Sequence, residues 1–272
     1  MKRHLLINAV AIICMALVSC TINIDGESLG GKTIKGDGNI VTRDFTVSAF
    51  DELSVALPAT VNFTVADDYT CTIRVDENIL EYLDVKVDDN TLFLKRQKEH
   101  KTVNLRATTF VIDVTAPRLE DIDLAGSGTI NVLSPLEGEE MDVNLAGSGD
   151  IVFNEMVTVQ EIDLTVSGSG DLVCNQLIAD NLDATVAGSG DLRVTVGTVR
   201  RAEASVAGSG DLNLFCAIEN LEADIAGSGD IRARVSGKLE YHIVGSGDIG
   251  YYGNPVVEGD KVGSGSMTRL GD

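Results

Sequence analysis

The stretch AGSGD, Ala146 to Asp150, is one copy of the repeat that decides how this chain folds. Gly-Ser-Gly occurs eight times between residues 126 and 265, and Asp follows it six times. Successive first glycines are 18 to 21 residues apart, a period typical of solenoids in which each repeat is one coil of β-strand. We expect a structural role, in tight corners between stacked strands, for the two glycines of every triplet: Gly126, Gly128, Gly147, Gly149, Gly168, Gly170, Gly188, Gly190, Gly208, Gly210, Gly227, Gly229, Gly245, Gly247, Gly263 and Gly265.

Alignment of the repeats on the triplet places apolar residues at fixed positions on both sides of it. Two residues before the triplet stand Leu124, Leu145, Val166, Val186, Val206, Ile225 and Ile243. Four residues after its first glycine stand Ile130, Ile151, Leu172, Leu192, Leu212, Ile231, Ile249 and Met267. Because the positions between them are polar, each flank reads as a strand with one face inward. The pattern predicts an all-β fold, a right-handed parallel β-helix with coils of about 18–21 residues.

The same pattern extends, less regularly, toward the N-terminus. LSVALPATVNFTV from Leu53 matches IDLAGSGTINV from Ile122, and VKVDDNTLFL from Val85 has a similar shape. We therefore predict one domain over residues 40–272, with ragged coils at 40–121, regular GSGD coils at 122–265 and a C-terminal cap at 266–272. Arg269 would lie in an apolar column of that cap, and one helical turn is expected within Asp76–Asp84.

The N-terminal residues predict export and lipidation. Lys2 and Arg3 precede an apolar run from Leu5 to Val18, so residues 1–19 are interpreted as a signal peptide. The run ends in LVSC, which is typical of a bacterial lipoprotein processing site and predicts acylation of Cys20. The alternative is an ordinary cleaved signal followed by a chance cysteine. Residues 20–39, rich in Gly, Asp and Ser, are expected to be a flexible tether.

Charge and cysteine content restrict the partners. The chain has 21 Lys and Arg against 42 Asp and Glu, and loss of Lys2 and Arg3 changes the net charge from −21 to 19 − 42 = −23. This disfavours nucleic acid and anionic lipid surfaces as partners and leaves cations, metal ions and neutral glycans. Cys71, Cys174 and Cys216 are an odd number, and the last two lie two coils apart, too far for a disulfide. We expect buried free thiols.

Two columns of carboxylates run along the predicted solenoid. The first follows the triplet: Asp150, Asp171, Asp191, Asp211, Asp230 and Asp248. The second stands five residues before it: Asp121, Asp142, Asp163, Asp183, Glu203, Glu222 and Glu240. Ser and Asp are turn formers that bond nearby backbone amides, so a solvated ladder without a ligand is the favoured interpretation. Calcium bound to the first column is the alternative, because Ca²⁺ prefers carboxylate oxygens, and no other cofactor is expected.

No catalytic constellation stands out in the sequence. Outside the signal peptide the histidines are His100 and His242, which lie far apart and have no cysteine pair nearby. Carboxylates for glycoside cleavage are abundant, so a polysaccharide-active enzyme remains an alternative. Coils of nearly constant length leave little room for the long insertions that would build a cleft, and the chain has no Trp to form a sugar platform.

Three quoted segments carry a family resemblance: FDELSVALPATVNFTV from Phe50, VDENILEYLDVKVDDNTLFL from Val75, and the tandem LAGSGDI units. Together they resemble the head GIN domain family, described as autotransporter adhesins, over residues 40–265. The resemblance implies a β-helical fold on exported proteins, an adhesive role and no catalytic motif. We expect a non-enzymatic, lipid-anchored binding or adhesion module of the cell envelope, held to the outer membrane at the cell surface or facing the periplasm. Its ligand would be a glycan or a protein surface; a purely structural envelope protein is a further alternative.

Overall fold

The chain folds as a β-solenoid of about eight turns, which confirms the predicted all-β parallel β-helix. The computed structural model describes residues 32–100 and 102–272. The expected signal peptide, Cys20 and residues 20–31 of the tether lie outside the described residues. The predicted right-handed winding stays a prediction. Within the described residues, no helix has the length and hydrophobicity needed to cross a membrane.

The N-terminal part contains nine short strands and two 3₁₀ helices. The helices are Glu77–Tyr82 and Lys98–His100, and the first confirms the helical turn expected within Asp76–Asp84. The strands are β1 (Thr33–Lys35), β2 (Ile40–Phe45), β3 (Glu52–Val55), β4 (Thr60–Val65), β5 (Thr70–Asp76), β6 (Leu83–Asp88), β7 (Thr91–Arg96), β8 (Asn104–Arg106) and β9 (Phe110–Ala116).

Regular coils make up the rest of the chain, and from β14 onward five successive strands each continue through 15 to 19 residues. They are β10 (Asp121–Gly126), β11 (Thr129–Val132), β12 (Leu136–Glu137), β13 (Glu140–Gly147), β14 (Asp150–Gly168), β15 (Asp171–Gly188), β16 (Leu192–Gly208), β17 (Leu212–Gly227), β18 (Ile231–Gly245), β19 (Ile249–Tyr252), β20 (Val256–Gly263) and β21 (Met267–Gly271).

The predicted register of the regular coils is confirmed. Leu172 pairs with Leu192, Leu192 with Leu212 and Leu212 with Ile231, all in parallel. Each of these four side chains is completely buried. Burial of such a side chain contributes about 1.5–3 kcal/mol, so the continuous apolar columns are the main source of stability.

Stacking order in the N-terminal part differs from the order of the sequence. Strand β3 lies between β7 and β10, and β4 lies between β9 and β11, with parallel pairing throughout. Leu53 is thus paired with Ile122, as the sequence alignment predicted. In chain order, β3 and β4 form this coil. β7 and β9 follow and stack on one side of it, and β10 and β11 come later and stack on the other side.

The prediction of ragged parallel coils is wrong for several of the remaining N-terminal strands. β5 pairs antiparallel with β2 and β9, and β6 with β7. The β6–β7 connection explains the hairpin: Asp89 and Asn90 have φ of 47° and 66°, the left-handed conformation that a tight two-residue hairpin turn requires. Asp and Asn adopt it more readily than other non-glycine residues, so VKVDDNTLFL folds back on itself instead of forming a coil.

The folded domain begins earlier than predicted. Thr33–Lys35 pairs in parallel with β8, so the predicted tether ends before residue 33. Asp76 has no exposed surface, and its carboxylate accepts hydrogen bonds from the N–H of Gly38 at 2.8 Å and of Thr108 at 2.6 Å. Burial acts to raise the pKa of Asp76, but these backbone bonds outweigh it and the pKa lies below its usual range. One buried carboxylate therefore joins three segments that are distant in sequence.

The C-terminal end of the stack is closed by polar side chains. Lys261 pairs with Ile243 in an apolar column, and its Nζ bonds to the carbonyl of Gly265 at 2.8 Å. Arg269 pairs with Tyr251, as predicted for the cap, and its Nε bonds to the carbonyl of Gly253 at 2.6 Å. Charged side chains on an edge strand discourage further strands from stacking on it.

Candidate functional site

From Gly147 onward, the corners formed by the triplets have room for nothing larger than glycine. Gly168 has φ of 137°, which other residues rarely adopt, and an added Cβ would lie 2.2 Å from the carbonyl oxygen of Gly147. Gly170 needs its glycine for space alone, because its Cβ would lie 2.0 Å from the oxygen of Gly149. The other triplets from Gly147 onward repeat both relationships. Glycine at these positions is accounted for by backbone stacking without any ligand.

The Asp that follows the triplet connects one coil to the next. Asp191 Oδ1 accepts the backbone N–H of Asp211 at 2.9 Å, and Asp211 Oδ1 accepts that of Asp230 at 3.0 Å. The same bond joins Asp150 to Asp171, Asp171 to Asp191, Asp230 to Asp248 and Asp248 to Ser266. The prediction that these carboxylates bond amides nearby in sequence is wrong: the partner amide is 18 to 21 residues away. Parallel in-register stacking brings it closer than any local amide.

Each carboxylate of this column therefore has a structural partner. Hydrogen bonds from Ser266 lower the pKa of Asp248, which keeps that carboxylate ionised. Among residues 32–100 and 102–272, no three Asp, Glu, His or Cys side chains are grouped so that they could hold a metal ion. The preference for a solvated ladder over a calcium site remains a prediction for experiment.

The second column of carboxylates forms an acidic strip: Asp121, Asp142, Asp163, Asp183, Glu203, Glu222 and Glu240. Burial, followed by repulsion from neighbouring carboxylates, raises the pKa of Asp121 and of Asp163 to about 7. The pKa values of Asp142, Asp183 and Glu222 are also raised, with burial again the largest cause. The strip consequently carries less negative charge near neutral pH than its composition implies.

The histidine and cysteine residues that the structure describes do not assemble into a reactive site. His100 contacts Tyr82, with ring centroids 4.7 Å apart and the ring planes tilted by 56°. His242 in β18 bonds to Asp260, and this bond raises the pKa of the His242 imidazole. Cys71, Cys174 and Cys216 are free and buried, which confirms the prediction made for Cys174 and Cys216. Burial raises the pKa of each thiol to about 12, which makes these cysteines unreactive at neutral pH.

Open depressions mark the surface of the described residues, and two of them have chemistry that suits a ligand. The first, the coil groove, has a volume of about 640 Å³ and crosses β14 to β18. It combines apolar and polar side chains, among them Ile178, Thr198, Ala217, Asp180, Arg200 and Ser236. Asp180 and Arg200 form an ion pair at 3.4 Å beside it, and Ile178 is 40% exposed.

The second depression, the arginine pocket, has a volume of about 430 Å³. It lies where β1 and β8 run beside the first Gly-Ser-Gly corner, and Arg96, Arg106, Asn104, Thr33 and Ser127 contribute to its lining. This site was not predicted from the sequence. The available signal was the basic run from Lys95 to Arg106, KRQKEHKTVNLR, which stands out in an acidic chain.

Solved structures of related proteins share this architecture. A "putative lipid binding protein" from Parabacteroides distasonis is 32% identical, with a TM-score of 0.84 over 88% of this chain and 100% of that chain. A "putative adhesin" from the same species is 28% identical, with a TM-score of 0.81 over 88% of this chain and 100% of the other. A "putative adhesin" from Parabacteroides merdae is 25% identical, with a TM-score of 0.79 over 88% and 99%. The comparison with curated proteins gives no match.

A family model described as "Putative auto-transporter adhesin, head GIN domain" matches residues 49–175 and 142–255. The two matches together cover most of the solenoid, including the N-terminal coil at β3 and β4 and the GSGD coils up to β19. The chain belongs to the head GIN domain family.

Proposed function

We propose that this protein is a non-enzymatic binding module of the cell envelope, anchored through an acylated Cys20 and presenting its coil groove to an extended, neutral glycan. The observation that carries the proposal is the coil groove itself. It is open, and it crosses five consecutive strands, so a ligand lying along the stack would contact several coils at once.

The chemistry of the groove suits a sugar chain better than an ion. Asp180, Arg200 and Ser236 offer hydrogen-bond donors and acceptors for hydroxyl groups, and Ile178 and Ala217 offer apolar contact. The acidic strip and the column of Asp residues that follow the triplets, the Asp ladder, are poor surfaces for anionic ligands. A neutral glycan therefore fits the surrounding charge. The names of the related proteins, adhesin and lipid-binding protein, agree with a binding role and not with catalysis.

Titration of the purified protein against a panel of neutral glycans tests the ligand. We expect saturable binding without turnover, weakened at least tenfold by Ile178→Arg, which places a long charged side chain in the groove. Val244→Arg is the matched control, because Val244 is 59% exposed and lies outside the groove. Release of shortened sugars would favour a polysaccharide-active enzyme, and absence of binding to any glycan or protein ligand would favour a structural envelope protein.

A separate experiment tests the anchor. Cys20→Ala, expressed behind a cleavable export signal in place of residues 1–19, should move the protein from the membrane fraction to the soluble fraction, since acyl chains would no longer hold it. Protease added to intact cells then reports which side of the outer membrane carries the protein. Membrane retention of the Cys20→Ala protein would contradict lipid anchoring.

A further inference from the structure

The arginine pocket is a cationic site in an acidic protein. Arg96 lies at the end of β7 and Arg106 at the end of β8, and none of the described residues that line the pocket is an Asp or Glu. Asn104, Thr33 and Ser127 add an amide and two hydroxyl groups to the same lining. Guanidinium groups together with neutral donors are the side chains that recognise phosphate.

Neither guanidinium has a carboxylate partner among residues 32–100 and 102–272. Arg96 Nη1 donates to the carbonyl of Val103 at 2.9 Å, a bond that holds the side chain in place and leaves its other donors available. Arg118, Arg200, Arg232 and Arg269, by contrast, each pair with an Asp.

The first Gly-Ser-Gly corner supplies a further donor. In every later triplet, the Ser N–H bonds to the carbonyl of a glycine in the preceding coil at 2.7–2.9 Å. Ser127 has no such glycine beneath it, because Ala56, Leu57 and Pro58 occupy the preceding corner, and its N–H makes no backbone bond among the described residues. An amide at this corner is available to a ligand in the pocket.

The net charge of the chain does not cancel this local excess of positive charge. Residues 95–106 contain five Lys and Arg and one Glu, against 21 and 42 in the whole chain. Charges are screened over about 8 Å at physiological ionic strength, whereas eight coils at about 4.8 Å each spread the acidic columns along roughly 40 Å. Most of those carboxylates therefore act weakly at the pocket. The expectation that the net charge disfavours anionic partners does not apply to this site.

We propose that the arginine pocket binds a phosphate group, either of a membrane lipid headgroup or free in solution. The lipid source rests on the proposed anchoring through Cys20. Thr33 in the pocket lining is 33 − 20 = 13 residues from that cysteine, and 13 residues span at most about 45 Å when fully extended. The anchor thus keeps the pocket within reach of the headgroups, where a phosphate contact would orient the solenoid on the membrane.

The test uses the mature chain from residue 20 with Cys20→Ala, so that acyl chains play no part. Thermal unfolding is followed with sodium phosphate and with sodium chloride at matched ionic strength, and flotation is measured with phosphatidylglycerol vesicles and with phosphatidylcholine vesicles. We expect a saturable rise in melting temperature with phosphate, and flotation with phosphatidylglycerol alone. The double variant Arg96→Gln/Arg106→Gln should lose the phosphate response and reduce flotation at least tenfold.

Arg193→Gln/Arg201→Gln is the matched control, since it removes the same charge from two exposed arginines outside the pocket. Phosphate binding that is lost only in the pocket variant supports the proposal; concurrent loss of flotation assigns the lipid source, and no flotation assigns free phosphate. Equal effects of the two double variants, or no response to phosphate by the parent chain, would overturn it. Binding here is independent of acylation, so a failed pocket leaves the Cys20 fractionation experiment unaffected, and the reverse also holds.

Discussion

The Oδ1 atom of Asp191 accepts the backbone N–H of Asp211, the residue that occupies the same position one coil further along the stack. This bond recurs at each of the six Asp that follow a triplet. Because the acceptor belongs to one coil and the donor to the next, the bond acts only when the coils are in register. The Asp at the end of each GSGD sequence thus contributes to the alignment of the stacked coils.

Asp191→Ala should lower the free energy of unfolding by about 1 kcal/mol, since it leaves the Asp211 amide without its partner. Asp191→Asn should cost less than half as much, because the amide oxygen can still accept the bond. Urea unfolding measures both, with Glu155→Ala as an exposed control that should be neutral. Equal losses for Ala and Asn would show that charge, and not the hydrogen bond, matters at this position.

Gly170→Ala should destabilise the domain by about 3 kcal/mol or more, because the methyl group meets a carbonyl oxygen at 2.0 Å and the stack must distort. Gly138→Ala is the matched control. Its Cβ would meet nothing closer than 3.8 Å, and Gly138 has no positive φ. Differential scanning calorimetry of the two variants checks this, and comparable melting temperatures would contradict the close approach of the corners.

Calcium should act on the Asp ladder only as a salt. Each carboxylate already accepts one amide, and a straight row supplies poorly the six to eight converging oxygens that Ca²⁺ prefers. We expect NaCl, MgCl₂ and CaCl₂ at matched ionic strength to change the melting temperature alike. A saturable shift specific to calcium and lost in Asp191→Asn would assign a metal site to the ladder.

Stability should fall as pH rises from 5 to 8. Asp163 has a pKa near 7 in the folded chain and near 4 when unfolded, so the folded state binds more protons in that interval and loses stability as they dissociate. His242, whose pKa is raised by Asp260, contributes in the same direction. Carboxylates with lowered pKa, such as Asp76 and Asp248, act at lower pH.

Asp163→Asn should therefore raise the melting temperature at pH 8 and have little effect at pH 5. Glu155→Gln, an exposed carboxylate outside the acidic strip, serves as the control for loss of a negative charge. Thermal unfolding across this pH range tests the expectation. A benefit of Asp163→Asn that is the same at both pH values would rule out titration of this carboxyl group.

Lys261→Ile should cause self-association through the C-terminal end. Lys261 continues the apolar column below Ile243 on β20, a strand whose one pairing partner among the described residues is β18. An isoleucine would extend that column to an open edge and allow strands of a second molecule to add. Sedimentation at increasing protein concentration measures this; Lys35→Ile, an exposed lysine of β1, is the control and should remain like the parent chain.

The sequence was sufficient to predict the regular coils, because a strict period and alternating polarity determine which residues stack and which face inward. Pairing of Leu53 with Ile122 followed from the same alignment. The N-terminal part was not predictable in this way. The hairpin at Asp89 and Asn90 has the same alternating pattern as a coil. The position of β3 between β7 and β10 also has no effect on the periodicity of the sequence. The buried Asp76 was equally hidden, since its partners at Gly38 and Thr108 are joined only by tertiary structure.

Candidate sites were less accessible to sequence reasoning than the fold. The Asp column was found, but its partner amides become visible only once the coils are stacked. Arg96 and Arg106 belong to different strands, and what makes them a site is the corner at Ser127 that lies beside both. Net charge is a sum over the whole chain, so it gives no indication of the basic run from Lys95 to Arg106.

Because β14 to β18 pair in register, the length of the solenoid can change without a change in the surface that each coil presents. Residues 171–190 form one complete repeat, from one Asp of the ladder to the residue before the next. Removal of such a unit would join Gly170 directly to Asp191 and preserve the corner sequence, the inward columns and the ladder. The reach of the molecule from its N-terminal coils is therefore adjustable in steps of about 4.8 Å by gain or loss of whole repeats, without redesign of either end.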